Sequence, residues 1–167
     1  ALDAMGGDRA PQVIVEGAVA AVRAKVPAEK ITLVGREEEI RQLLAGHGME
    51  HEPRIDVLNA REVVQMHESP ADAVRRKRDA SVSRAVDLVK RGEADAIVTA
   101  GHTGAAVAAT TLKLRTLPGV ERPAIATILP SPHGFFVLID AGANIDCRPV
   151  QLVQFAIMGT VYCRAIL

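Results

Sequence analysis

The chain has almost no aromatic residues: three Phe, one Tyr and no Trp, 2% of 167 positions, against 49% apolar residues overall. A core without large rings must be assembled from Ala, Val, Leu and Ile, which suits closely spaced layers of helix on sheet. The same scarcity removes the stacking platforms that single-stranded nucleic acids need. Charge of one sign is missing as well, since 20 basic residues balance 20 acidic ones. A nonspecific nucleic-acid binder draws its affinity from excess positive charge, so no nucleic-acid partner is expected. Cysteine is nearly absent: Cys147 and Cys163 belong to neither a C-x-x-C pair nor a Cys/His zinc array. They read as reduced cytosolic thiols rather than a disulfide. No apolar run reaches the ~18 residues of a membrane span. The N-terminus lacks the basic-then-apolar layout of a signal peptide. The expected location is cytoplasmic, with any membrane contact made from outside.

Several catalytic signatures are absent too. There is no G-x-S-x-G elbow, no Walker A loop and no G-x-G-x-x-G fingerprint. His47, His51, His67 and His133 show no metal-ligand spacing. The expectation is therefore no metal and no redox cofactor. Cys147 follows Asp140 closely but has no evident base partner, which leaves a nucleophile reading unsupported.

What is present is organised around Ala94 to Leu114. A short apolar run (Ala94 to Thr99) predicts a buried strand, Gly101-His102-Thr103-Gly104 breaks it, and an apolar segment of helical length follows. A strand that turns through glycines into a helix leaves that helix's first N–H groups unpaired, with the positive end of its dipole beside them. Such a turn is an anion site, and glycine lets a ligand oxygen approach the backbone closely. The competing reading is a tight turn whose glycines serve packing alone.

Taken in order, Ala1-Leu2-Asp3 predicts the tail of a strand and Ala4 to Asp8 a turn. Pro11 stands at a first helical position, with Val13, Ile14, Gly17, Ala21 and Val22 as the apolar stripe. Ile31 to Val34 reads as a strand stopped by Gly35, Glu37 to Leu44 as an amphipathic helix closed by Gly46 and Gly48, and Arg54 to Leu58 as a weaker strand. A polar block from Glu68 to Ser81 carries Arg75, Arg76, Lys77 and Arg78. Ser81 is placed to cap a helix bearing Val82, Ala85, Val86 and Val89, which Gly92 ends. After the loop Pro118 to Pro123, Ala124 to Leu129 and Phe135 to Ile139 read as two more buried strands, and Gln151 to Leu167 as a helix.

The expected fold class is α/β, in three α/β/α layers around a mostly parallel sheet. Residues 1–167 make a single α/β domain or the N-terminal half of a longer α/β enzyme. The uncapped apolar ending, Tyr162 to Leu167, predicts that the chain continues.

Ligands of open parallel sheets bind beyond the carboxyl ends of the strands. Three predicted strand ends combine glycine with short polar side chains. They are Asp3 to Asp8 with Gly6 and Gly7, Thr99 to Gly104 with Gly101 and Thr103, and Asp140 to Asn144 with Gly142. Asp3 and Asp140 either contact substrate, a cation or basic groups, or accept loop N–H bonds and shape their turns. A phosphate beside them needs a cation, which Arg75, Arg76, Lys77 and Arg78 would supply unless they form a solvated helix face. His102 either donates to an oxyanion and moves a proton, or is a plain turn residue.

At these turns LDAMGGD, ESPADAVRRKRDAS, TAGHTG, RPAIAT, LIDAGANIDC and QFAIMG, in this order over essentially the whole chain, resemble the PlsX-type phosphate acyltransferases of bacterial phospholipid synthesis. The resemblance implies a fold like the isocitrate/isopropylmalate dehydrogenases and transfer of an acyl group from acyl carrier protein to inorganic phosphate. It further implies a homodimer, a downstream glycerol-phosphate acyltransferase as partner, and peripheral association with the inner membrane face. That family usually has Asn where this chain has His102, and its members are roughly double this length. On this reading Lys77, His102, Asp140 and Asn144 are the catalytic candidates. Asp3, Gly6, Gly7, Asp8, Arg75, Arg76, Gly101, Thr103, Gly104 and Gly142 are the phosphate or substrate-binding candidates. The rival readings are a decarboxylating dehydrogenase of related fold, and a noncatalytic module that docks acyl carrier protein or a partner acyltransferase through its basic cluster.

Overall fold

The computed structural model describes residues 1–166 and falls into two compact units, Ala1–Leu114 and a second beginning at Arg115. In the first, β1 (Leu2–Asp3), β2 (Ile31–Gly35) and β3 (Ile55–Asn59) form a parallel sheet in that spatial order. Leu2 lies opposite Leu33, and Ile31 opposite Ile55. Parallel neighbours need a crossover, and α1 (Gln12–Arg23) and α2 (Glu37–Gly46) provide the two crossovers.

Adjacent β2 residues point to opposite faces. Leu33 packs with Val15, Ala18 and Val19 of α1 and with Ile40 and Leu44 of α2. Val34 packs on the other face with Ala60 and with Ala85 and Leu88 of α4 (Ser81–Lys90). Helices thus cover both faces of this sheet. A third cluster joins Val74 of α3 (Pro70–Arg76), Val82 and Val86 of α4, and Ala105 and Ala109 of α5 (Thr103–Leu114). Small alanines let α5 sit close to its neighbours, as the aromatic-poor composition implies.

Three expectations need correction here. The buried face of α1 is Val15, Ala18, Val19 and Val22, so of the expected stripe only Val22 is fully buried. In an Ala- and Val-rich helix more than one face satisfies the apolar period, and the sheet chooses. Ser81 caps nothing: Ala80 is the N-cap, with no side-chain cap bond, and Ser81 begins the helix. Ala94 to Thr99 is not a full strand but an extended segment bonded to β1. Asp3 N–H donates to the Val98 carbonyl and Val98 N–H to that of Ala1, each at 2.9 Å. Val98 is 62% exposed. α3, inside the polar block, is an addition to the expected elements: Pro70 opens it, and only Ala73 and Val74 are buried.

In the second unit, β4 (Ala126–Ser131) and β5 (Gly134–Ile139) are antiparallel, paired from Ala126–Ile139 to Ser131–Gly134. This corrects the expectation of two buried members of a parallel sheet. Only Pro132 and His133 separate the strands, far short of the dozen or so residues a parallel crossover needs. Phe135, Phe136 and Leu138 are exposed. The helix α6 (Pro149–Ile166) begins two residues before the expected Gln151, and Leu167 lies outside the described residues. Gly159 of α6 meets β5 closely: a Cβ there would lie 2.8 Å from Ile139 Cγ2. Among the described residues no helix is long and apolar enough to cross a membrane.

Candidate functional site

The first glycine corner is built from the end of β1. Asp3, 3% exposed, accepts the Met5 N–H through Oδ1 at 3.2 Å and the Thr99 hydroxyl through Oδ2 at 2.8 Å. Thr99 Oγ1 in turn accepts the Gly101 N–H at 3.1 Å. This relay fastens the loop after β1 to the loop before α5, although Asp3 and Thr99 are 96 residues apart in sequence. A Cβ on Gly6 would stand 2.8 Å from Asp3 Oδ2, Thr99 Oγ1 and the Gly101 nitrogen. One on Gly101 would stand 2.9 Å from Gly6 Cα. The two backbones cross where neither tolerates a side chain. Gly7, with φ of +113°, then turns the chain away in a conformation that favours glycine.

The first two glycine corners therefore lie against each other. They border a cavity of about 360 Å³. One wall contains Asp3, Gly6, Gly7 and Asp8, a second Gly101 and His102, and a third Val63 to Met66 with Ser81 and Val82. The His102 carbonyl accepts the Ala105 and Ala106 N–H groups, so α5 starts there. Among the described residues the Thr103 and Gly104 N–H groups have no acceptor. That is the donor pair an anion at a helix N-terminus uses. Thr103 is exposed and outside the cavity wall. Gly104 serves packing: a Cβ there would lie 2.8 Å from Pro70 Cγ.

The basic cluster behaves differently. Arg75, Arg76, Lys77 and Arg78 are not wall residues of the cavity. Lys77 Nζ donates to the Val63 carbonyl at 2.7 Å and to Glu68 Oε2 at 2.5 Å. Glu68 Oε2 also accepts the Gln65 N–H at 2.7 Å. The Gln65 N–H, with Lys77 beside it, holds the Glu68 carboxyl below the ordinary value. Lys77 thus pins the segment that makes the third wall. Arg75 sits 3.9 Å from Asp72, and Arg76 Nε donates to the Asp72 carbonyl at 3.4 Å; both, like Arg78, are exposed.

The Asp140 turn, in the second unit, closes on itself. Asp140 accepts N–H bonds from Ile125 (2.8 Å), Ala143 (3.2 Å) and Asn144 (2.7 Å), and one from the Asn144 carboxamide (3.0 Å). Desolvation pushes its pKa up, but these four donors outweigh it and hold the carboxyl below its ordinary value. Asn144 Nδ2 also donates to the Pro123 carbonyl at 3.0 Å. Gly142, with φ of +116°, has open space around its missing Cβ. Its role is conformational.

Sequence reasoning missed the wall formed by Val63 to Met66 and the position of Ser81. The wall depends on a lysine nine residues from its glutamate partner, which no short motif marks. The one signal for it is the pairing of Lys77 with an acid in a segment too polar for a core.

The sequence profile of the family described as "Fatty acid synthesis protein" matches residues 1–167. A "Phosphate acyltransferase" of Geobacter sulfurreducens is 52% identical over 168 residues, covering 100% of this chain and 47% of that protein. A protein of the same name from Geotalea daltonii is 52% identical over 167 residues, with the same coverage. Another, from Alkalilimnicola ehrlichii, is 47% identical over 165 residues, covering 99% of this chain and 48% of that one. The chain spans about half the length of these curated relatives. By likeness along its whole length to these enzymes, the chain belongs to the fatty acid synthesis protein family and corresponds to the N-terminal half of its phosphate acyltransferases.

Proposed function

We propose that this chain supplies the phosphate-binding part of an enzyme that transfers a fatty acyl group from acyl carrier protein to inorganic phosphate, giving an acyl phosphate for phospholipid synthesis. The observation that carries the reading is the contact of Gly6 with Gly101 at the start of α5. It keeps the crossing beside the cavity free of Cβ atoms, next to the helix start where the Thr103 and Gly104 N–H groups are unpaired among the described residues. Phosphate occupies the turn Gly101–Gly104, with His102 as the nearby titratable donor. One phosphate oxygen attacks the thioester carbonyl carbon, forming the C–O bond and a tetrahedral oxyanion. Collapse breaks the C–S bond, and the carrier thiolate leaves and takes up a proton. Donors aimed at the oxyanion lower this barrier, on the order of 3 kcal/mol for one well-placed group. Holding phosphate against the carbonyl contributes by positioning, and no covalent enzyme intermediate is required.

In this reading Lys77 keeps the wall in place, Asp3 orders the glycine crossing, and Asp140 with Asn144 shapes its own turn. The exposed arginines of α3, Arg75 and Arg76, suit the docking of an acidic carrier, because rim charges steer encounter. The reading carries with it the dehydrogenase-like fold for the whole enzyme, a homodimer, a peripheral place on the inner membrane face, and delivery of product to a glycerol-phosphate acyltransferase. The test is phosphate-dependent release of free thiol from acylated carrier by the intact protein. Release that is indifferent to phosphate would refute the reaction. Carrier binding that is abolished by Arg75→Glu with Arg76→Glu but survives Gly101→Ala would favour a docking module over chemistry at the turn.

A further inference from the structure

We propose that Ser81 is a phosphate-binding residue, donating its hydroxyl to the anion from the wall opposite the glycine turn. The inference rests on the phosphate reading above and adds a second anchor to it. Ser81 is 2% exposed, yet it is a wall residue of the cavity. Its backbone is satisfied, with the N–H donating to the Glu62 carbonyl at 3.0 Å, but its hydroxyl bonds nothing among the described residues. A buried hydroxyl without a partner is costly unless something else takes its hydrogen bond.

Ser83, two residues on, shows the contrast. It is also fully buried and unpartnered, but its Oγ is sealed from all solvent and it is absent from the cavity wall. The oxygen of Ser81 is not among the sealed, unpartnered atoms, and Ser81, unlike Ser83, is a wall residue of the cavity. Ser81 is also the first residue of α4, a ten-residue helix, and His102 immediately precedes α5. Two helix N-termini therefore meet at one cavity, each adding partial positive charge. Among the described residues the wall holds Asp3 and Asp8 but no Lys or Arg. In place of the cation expected from Arg75 to Arg78, an anion there is left to His102, to backbone and hydroxyl donors and to the helix dipoles, which gives the hydroxyl of Ser81 unusual weight.

The experiment measures the phosphate KM and direct phosphate binding in the intact protein, for wild type, Ser81→Ala, Ser81→Cys and Ser83→Ala. Loss of a hydrogen bond to a charged ligand is expected to raise the phosphate KM about tenfold in Ser81→Ala. kcat and the KM for acylated carrier stay near wild type. Ser81→Cys, which keeps the shape with a weak donor, is expected to follow Ser81→Ala, while Ser83→Ala keeps the wild-type KM. A folded Ser81→Ala or Ser81→Cys with unchanged phosphate affinity would overturn the assignment and leave the acyl-transfer reading standing. Wild-type protein that binds phosphate without releasing thiol would sink the reaction, and Ser81 would then be judged by binding alone. Wild-type protein that does not bind phosphate refutes both.

Discussion

Two turns that both open with Asp-Ala and carry glycine, Asp3-Ala4-Met5-Gly6-Gly7 and Asp140-Ala141-Gly142-Ala143-Asn144, serve different purposes. Each begins with an aspartate at the end of a strand. Asp140 spends its acceptor capacity on Ile125, Ala143 and Asn144, and the turn is finished locally. Asp3 instead reaches across the chain to Thr99, and its glycine fits against the backbone of another loop. The first arrangement makes a corner, the second an opening. An Asp-Ala pair followed by glycine therefore predicts a shaped turn. Whether it becomes a site depends on which distant backbone passes within 3 Å of it.

The largest separation between the two turns is expected from their glycines. Gly6→Ala forces a Cβ to 2.8 Å from three fixed atoms, a loss of about 3 kcal/mol by overpacking. Gly142→Ala meets no atom and loses only its backbone conformation, about 1 kcal/mol. Denaturant unfolding of the intact protein measures both, and equal losses would break the comparison. Next come the partners of the aspartates. Thr99→Val leaves buried Asp3 Oδ2 without its hydroxyl donor and is expected to cost about 2 kcal/mol. Asn144→Ala leaves Asp140 three backbone donors and is expected to cost about 1 kcal/mol by the same measurement.

A smaller effect concerns acid stability. The folded pKa of Asp140 is depressed, so the unfolded chain takes up the proton first as pH falls. Its contribution is complete above about pH 4 and is lost as pH drops through the lower folded value. Stability of Asp140→Asn should accordingly fall less steeply than wild type below about pH 4. A parallel acid limb would show that the four donors do not favour the ionised form. The smallest effect belongs to Ser83→Ala. It removes a sealed, unpartnered hydroxyl and should change stability by no more than about 0.5 kcal/mol, or raise it. A loss well above 1 kcal/mol would mean that the hydroxyl has a partner after all.

Local patterns are legible where a single period or stop residue settles the matter. Ile31 to Gly35 reads as a strand because the apolar run is short and ends in glycine, and α4 reads as a helix because Val82, Ala85 and Val86 repeat at 3.6-residue spacing. The hairpin β4–β5 reads wrongly as parallel because apolar content alone does not give strand direction, whereas the link between the strands does. The candidate site is legible in its glycines and not in its walls. Gly6 and Gly101 announce a close approach, but nothing in residues 63–66 themselves says that Lys77 fastens Val63 beside them. Arg75 and Arg76 look like the cationic supply because they are clustered, and the helix α3 turns both to the surface. Ser81 resembles a cap, since serine before an apolar stripe usually is one. The preceding Ala80 takes that position and leaves Ser81 as a wall residue of the cavity.

The most direct test is a crystal structure of the intact protein soaked in phosphate. The anion is expected at the start of α5, within hydrogen-bonding distance of the backbone N–H groups of the Gly101–Gly104 turn and of the Ser81 hydroxyl. A phosphate held instead by Arg75 and Arg76 on the surface of α3, with the Gly6–Gly101 crossing left bare at saturating concentration, would contradict it.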